Sequence, residues 1–208
     1  MKGTALIFLA ALALVGCKKR DDGPFVMMSP PPSENASATL PRHWTIPDFT
    51  LTERSGQPGT LADLRGKIWV ADFFYTSCPG TCPMLSSRLT ALQEKFGANP
   101  DVRLVSISTD PAKDTPEVLR QYAAKFKAGP HWLFFTGDKA AIFDLANKGF
   151  KLSVTEERNN PEPVTHSTKL VLIDRSGTVR GFYEGAGETD DTARLSADLQ
   201  RLLAEPAK

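Results

Sequence analysis

Lys67-Ile68-Trp69-Val70-Ala71-Asp72-Phe73-Phe74-Tyr75-Thr76-Ser77-Cys78-Pro79-Gly80-Thr81-Cys82-Pro83 runs from a nearly continuous apolar stretch into two cysteines four residues apart. Residues 67–75 have strand length and no polar alternation, which predicts a central strand covered on both faces. Beyond the cysteines, Leu85, Leu89, Leu92 and Phe96 recur at helical spacing up to Gly97, a C-terminal stop. The thiols therefore fall where a strand ends and a helix begins. Unsatisfied N–H groups and the positive end of the helix dipole stabilise thiolate over thiol at Cys78. Pro79 suits a first helical position, whereas Pro83 would disturb a helix already under way, so an irregular turn is expected.

Outward from this stretch, strand and helix alternate. Residues 102–108 read as a second strand, and Asp114 or Thr115 caps a helix with Pro116 in its first turn and Val118, Leu119, Tyr122 and Phe126 on its buried face. Residues 131–136 read as a third strand and 139–148 as a short helix. Residues 169–174 and 179–183, joined by Arg175-Ser176-Gly177-Thr178, predict a hairpin, and 190–204 a closing helix. This order predicts an α/β fold, a mixed central sheet flanked by helices, of the thioredoxin-like type. No internal repeat stands out.

The N-terminus has another character. Lys2, a twelve-residue apolar run over 4–15 and then Gly16-Cys17 before Lys18-Lys19-Arg20 read as a secretory signal, too short to span a bilayer. Leu14-Val15-Gly16-Cys17 resembles a bacterial lipobox, which implies cleavage before Cys17 and lipidation there. Residues 1–17 are thus expected as a lipoprotein signal peptide and 18–43, rich in proline and serine, as a flexible linker reaching roughly 28 Å. Residues 44–208 form the folded domain, held on a membrane by its lipid and facing the periplasm or cell exterior. The net charge of +1 offers no nucleic-acid footprint.

That compartment oxidises thiols, so Cys78 and Cys82 are a disulfide by default unless a thiol reductant keeps them open. In a regular helix their Cβ atoms would stand about 5–6 Å apart, while a disulfide wants roughly 3.5–4.5 Å. A metal bound about 2.3 Å from each sulfur relaxes that demand. The spacing favours a metal and leaves a redox disulfide open. Of the three histidines, His166 lies in a loop leading into the strand at 169, His43 in the linker and His131 beside Trp132. In a thioredoxin-like sheet the loop before that strand approaches the cysteine-bearing helix end, which makes His166 a candidate third ligand.

Asp72 interrupts the apolar strand six residues before Cys78, the offset at which thioredoxins place a buried aspartate. Burial would raise its pKa and make it a general base for thiol chemistry. The alternative is a carboxylate that caps or hydrogen-bonds nearby backbone. Asp110 begins a turn with Pro111, and Asp114 can cap the helix that follows.

The motif at 66–83, Val105-Ser106-Ile107-Ser108-Thr109-Asp110-Pro111 with Asp114-Thr115-Pro116, and His166-Ser167-Thr168 together resemble the SCO/SenC family of copper chaperones for cytochrome c oxidase. The resemblance covers roughly residues 46–203 in order. It implies copper ligation by Cys78, Cys82 and His166, as Cu(I) with Cu(II) as a second state, and delivery to the copper-bearing oxidase subunit during respiratory complex assembly. Many members carry an acidic residue between the cysteines and another just before the histidine. Here Pro79-Gly80-Thr81 and Thr165 stand instead, leaving the site's negative charge to the thiolates. A second function stays open: an extracytoplasmic thiol-disulfide oxidoreductase that reduces the recipient's cysteines, with Cys78 as nucleophile, Cys82 resolving and Asp72 as base.

Overall fold

A computed structural model describes residues 39–156, 164–186 and 190–206. Its centre is the strand read first: β3, after the short β1 (Thr50–Glu53), β2 (Pro58–Thr60) and α1 (Leu61–Leu64), spans Ile68–Phe74 with all seven side chains buried. It lies parallel to β4 (Val102–Ser108), from Ile68 opposite Val102 to Phe74 opposite Ser108. β4 in turn lies parallel to β5 (Trp132–Thr136). On its other edge β3 pairs antiparallel with β8 (Lys169–Ile173), which forms the expected hairpin with β9 (Val179–Glu184). β1 pairs antiparallel with β5 and with β2, completing a mixed sheet ordered β2-β1-β5-β4-β3-β8-β9.

Alternation along β3 assigns the faces. Trp69 and Phe73 meet the Phe150 ring edge-on, with centroids 6.0 and 5.2 Å away. Phe74, and Asp72 two residues before it, point to the other face, where Phe74 packs on Tyr122 of α3 (Pro116–Lys125). α2 (Thr81–Phe96) shares that face, because Ser86 and Tyr122 join hydroxyls at 2.9 Å. The helical spacing has its predicted result: Cys82, Leu85, Ser86, Leu89, Leu92 and Phe96 are the buried residues of α2. Thr115, rather than Asp114, caps α3 by accepting from the Val118 amide, and Pro116 follows at the first turn.

The helix expected over 139–148 divides. α4 (Lys139–Asp144), capped by Asp138, passes into a π-helical turn over Leu145–Phe150 that ends at Lys151 in left-handed conformation. The turn brings Phe150 to Trp69 and Phe73, while Trp44 Nε1 holds the Gly149 carbonyl at 2.6 Å. β6 (Val154–Glu156) and β7 (Val164–His166) form a separate antiparallel pair, and α5 (Thr192–Ala204) closes the fold. No described helix is long and apolar enough to cross a membrane.

Residues 39–43, read from sequence as the end of the linker, are seated on the domain. Leu40 is buried, and the His43 amide donates to the Val179 carbonyl at 3.0 Å. The buried Arg180 guanidinium donates to the carbonyls of Leu40 and Pro41, and also binds Asp174 and Glu205. A buried cation needs acceptors on every side, and this segment supplies two of them. The rest of the expected linker, the signal segment and Cys17 lie outside the described residues.

Candidate metal centre

The chain leaves β3 at Phe74 and turns tightly, with the Cys78 amide donating to the Tyr75 carbonyl at 3.3 Å. α2 begins at Thr81 with Gly80 at its N-cap, a residue with no side chain to cap the exposed amides. The Cys78 sulfur takes that place: Sγ accepts from the Cys82 amide at 3.4 Å and lies 3.6 Å from Thr81 Oγ1. Pro79 precedes the helix instead of opening it. Pro83 stands third in α2, where an amide would have no intrahelical partner, so the helix continues undisturbed.

No bond joins the two sulfurs, and both cysteines are buried. They differ in acidity. Burial pushes the Cys78 thiol up, but the Cys82 and Gly80 amides and the Cys82 and Thr81 side chains outweigh it and hold it below the ordinary thiol value. Cys82 is pushed far up, by burial first and then by the neighbouring Cys78 and Asp72, with the Tyr75 backbone opposing. α2 carries no acidic residue in its first turn, so nothing there offsets the positive helix end.

Asp72 lies on the same face with 1% exposure, and neither carboxyl oxygen has a hydrogen-bond partner. Ser106 stands opposite it in register, its hydroxyl accepting from Trp132 Nε1 at 3.0 Å. Burial raises the Asp72 pKa to about 7; the Ser106 hydroxyl and the residue's own backbone, near it but outside hydrogen-bond geometry, oppose this only in part.

The His166 backbone ends β7 opposite Val154, so it belongs to a short strand and not to a loop; its side chain lies outside the described residues. The neighbouring backbone is close to the cysteine helix. Gly185 donates to the Thr168 carbonyl at 3.1 Å, and a β-carbon there would stand 3.2 Å from that carbonyl and 2.4 Å from Leu85 Cδ2. Leu85 follows Cys82 by one turn and Thr168 follows His166 by two residues, so the two segments are packed together through Gly185. The other histidines are engaged elsewhere. His131 Nδ1 lies 3.0 Å from the Gly97 carbonyl at the far end of α2, about 24 Å along a helix of this length. His43 stacks at a tilt with Trp44 and Phe182.

Sequence reasoning named Asp114 as a helix cap and missed its role in this region. Asp114 is fully buried, and its carboxylate accepts from Thr76 N at 3.0 Å, Thr76 Oγ1 at 2.5 Å and Ser108 Oγ at 2.5 Å. Its neighbour Thr115 had an equal claim to the helix cap, and no local signal points to a partner 38 residues away. Among the described residues no group of three His, Cys, Asp or Glu side chains could hold a metal ion.

Residues 37–204 match the sequence pattern of the SCO1/SenC family. Three solved structures share the fold. A SCO1/SenC family lipoprotein from Bacillus anthracis is 32% identical with a TM-score of 0.71, the match covering 77% of this chain and 95% of that one. BsSco, a member of the Sco family of cytochrome c oxidase assembly proteins with an identified disulfide switch, is 30% identical with a TM-score of 0.68, covering 77% and 94%. ScoI from Bradyrhizobium japonicum, solved with copper bound, is 26% identical with a TM-score of 0.62, covering 76% and 99%. The thioredoxin-like expectation holds.

Proposed function

This chain belongs to the SCO1/SenC family, and on that premise we propose that it is a membrane-tethered copper metallochaperone. It holds Cu(I) through Cys78, Cys82 and His166 and passes it to the copper centre of cytochrome c oxidase. The observation that carries the reading is the cysteine pair at the start of α2, with the Cys82 amide donating to the Cys78 sulfur at 3.4 Å and holding its thiol below the ordinary value. Two soft sulfur donors and an imidazole suit Cu(I), and a site built from few ligands lets the cargo leave by exchange. The copper-bound relative and the relative assigned to oxidase assembly support the cargo and the recipient.

The chain's own residues set the order of loading. Cys78 is the entry ligand because its thiol is held below the ordinary value, whereas Cys82, pushed up by burial, must release a proton as it engages. Loading therefore weakens as the pH falls. Tethering follows from the lipobox, with Cys17 as the lipidated residue outside the cytoplasm, and the lipoprotein relative supports it. Competition titration of the reduced protein with Cu(I), comparing wild type with His166→Ala, tests the reading. Sharply weaker binding in the variant is expected; a wild-type dissociation constant above micromolar, or no loss on removing His166, contradicts it.

The unbonded, buried Asp72 favours a second reading, a thiol-disulfide oxidoreductase with a thiol reductant as its source of electrons. Cys78 thiolate attacks a disulfide of the recipient and forms a mixed disulfide, releasing one recipient thiolate. Asp72 takes the Cys82 proton, and Cys82 then attacks Cys78, leaving the recipient dithiol and an oxidised Cys78–Cys82 pair. Asp72→Asn should slow this exchange and leave Cu(I) affinity nearly unchanged.

A further inference from the structure

We propose that Asp114 is the positioning residue of the cysteine pair, clasping the loop that carries Cys78 to the ends of β4 and α3. The geometry is a junction of three segments. Thr76, two residues before Cys78, gives Asp114 both its amide and its hydroxyl. Ser108, the last residue of β4, gives its hydroxyl to the same carboxylate and accepts the Asp110 amide at 3.1 Å. The Asp114 amide donates to the Asp110 carbonyl at 2.9 Å, fixing the turn from which the carboxylate projects. Beside this, the Thr109 amide and hydroxyl both donate to the Phe74 carbonyl, so the β4 end is also fastened to the residue where β3 stops.

The clasp acts through the backbone. Between Phe74 and the start of α2 the chain has no ladder partner, and Cys78 must be held so that its sulfur meets the Cys82 amide. Thr76 anchors this stretch, its amide and its hydroxyl both going to one buried carboxylate. Thr115 already caps α3, which leaves the Asp114 side chain without a helix-capping duty. An acceptor that takes three donors from two distant segments is costly to leave unmade, and it holds both in one geometry.

Loosening the clasp has a defined direction. The Cys82 amide donates to the Cys78 sulfur, an interaction that favours the thiolate over a disulfide sulfur, and a fixed loop keeps the sulfur in that position. Losing Asp114 should therefore move the pair toward the disulfide and weaken Cu(I) binding. The Cu(I) part rests on the metallochaperone reading; the redox part does not.

The test equilibrates the protein with glutathione buffers, in which the dithiol passes two electrons and two protons to glutathione disulfide, giving the Cys78–Cys82 disulfide and two glutathione thiols. Wild type, Asp114→Ala, Asp114→Asn, Thr76→Val and Thr115→Ala are compared. Asp114→Ala is expected to shift the equilibrium constant roughly 10-fold toward the disulfide, with Thr76→Val shifting it less and in the same direction. Asp114→Asn, which keeps one acceptor oxygen, should fall between wild type and alanine. Thr115→Ala, which removes the neighbouring helix cap, should lower thermal stability without moving the equilibrium. Cu(I) affinity, by competition with a chromophoric chelator, should fall in the same order as the redox shift. If Asp114→Ala fails to fold, Thr76→Val decides. An unmoved redox equilibrium in the folded variants overturns the proposal whatever happens to copper affinity. A shifted equilibrium in a protein that binds no Cu(I) upholds the positioning role and overturns the metallochaperone reading alone.

Discussion

The main-chain amide of Cys82 points at the sulfur of Cys78 across 3.4 Å, so one cysteine of the pair caps the first turn of the helix in which the other stands. Two chemically identical side chains acquire different acidities from this arrangement. Cys78 sits on the donor-rich helix end, and Cys82 turns into the buried face beside Asp72 and Cys78.

Alkylation should therefore discriminate between them. With iodoacetamide at neutral pH, Cys78 of the reduced protein should react at least ~10-fold faster than Cys82, since the thiolate is the reacting species. Mass mapping after timed quenches checks this, and equal rates would contradict the assignment.

Asp72 should make stability depend on pH in a single window. Its folded pKa of about 7 lies above the ordinary 3.8, so the native state holds this proton more tightly than the unfolded chain. Its contribution is fully present below the unfolded value and is lost as pH rises through the folded one. Relative to Asp72→Asn, wild type should lose up to about 1.4 kcal/mol per pH unit across that window. Urea melts of both proteins at successive pH values measure the difference, which should flatten above about pH 7.

Gly185→Ala should couple fold and site. The added methyl meets Leu85 at 2.4 Å, Leu170 at 2.9 Å and the Thr168 carbonyl at 3.2 Å, so side chains on both segments must give way. A loss of about 1–3 kcal/mol is expected. Cu(I) affinity should drop with it, because the same shift separates the segment after His166 from α2. Chemical denaturation beside competition titration reads both effects.

Arg180→Met keeps an apolar stem but leaves Glu205 and the Leu40 and Pro41 carbonyls without their guanidinium donor, while Asp174 keeps Arg42, Ser176 and Thr178. The acceptors left unmade should cost about 1–3 kcal/mol. The variant should melt at lower temperature and be cut by protease within residues 39–43. Its Cu(I) affinity at low temperature should match wild type, since Arg180 contacts none of the proposed ligands.

What was legible in the chain follows from how each feature is encoded. β3, β4, β5, the β8–β9 hairpin and the helices on Leu85–Phe96 spacing and on Pro116 were readable, because each carries its own periodicity and punctuation. The β1–β2 pair and α1 were not, although Gly56 at φ +86° and the Thr60–Asp63 capping box offered local signals. Elements of three or four residues are too short to show a period. The docking of residues 39–43 was hidden for a different reason: a stretch of proline and polar residues reads as a linker until Arg180, far along the chain, claims its carbonyls.

By itself the sequence determined the strand-to-helix placement of Cys78 and Cys82, the burial of Asp72 and the family motif, because these depend on neighbours in the chain. Tertiary structure alone decided that Cys78 caps α2, that Asp72 has no hydrogen-bond partner, and that Asp114 grips Thr76 instead of capping α3. Each of those depends on atoms brought together across strands and turns, where hydrogen-bond distance is set by the fold and leaves no mark on local composition.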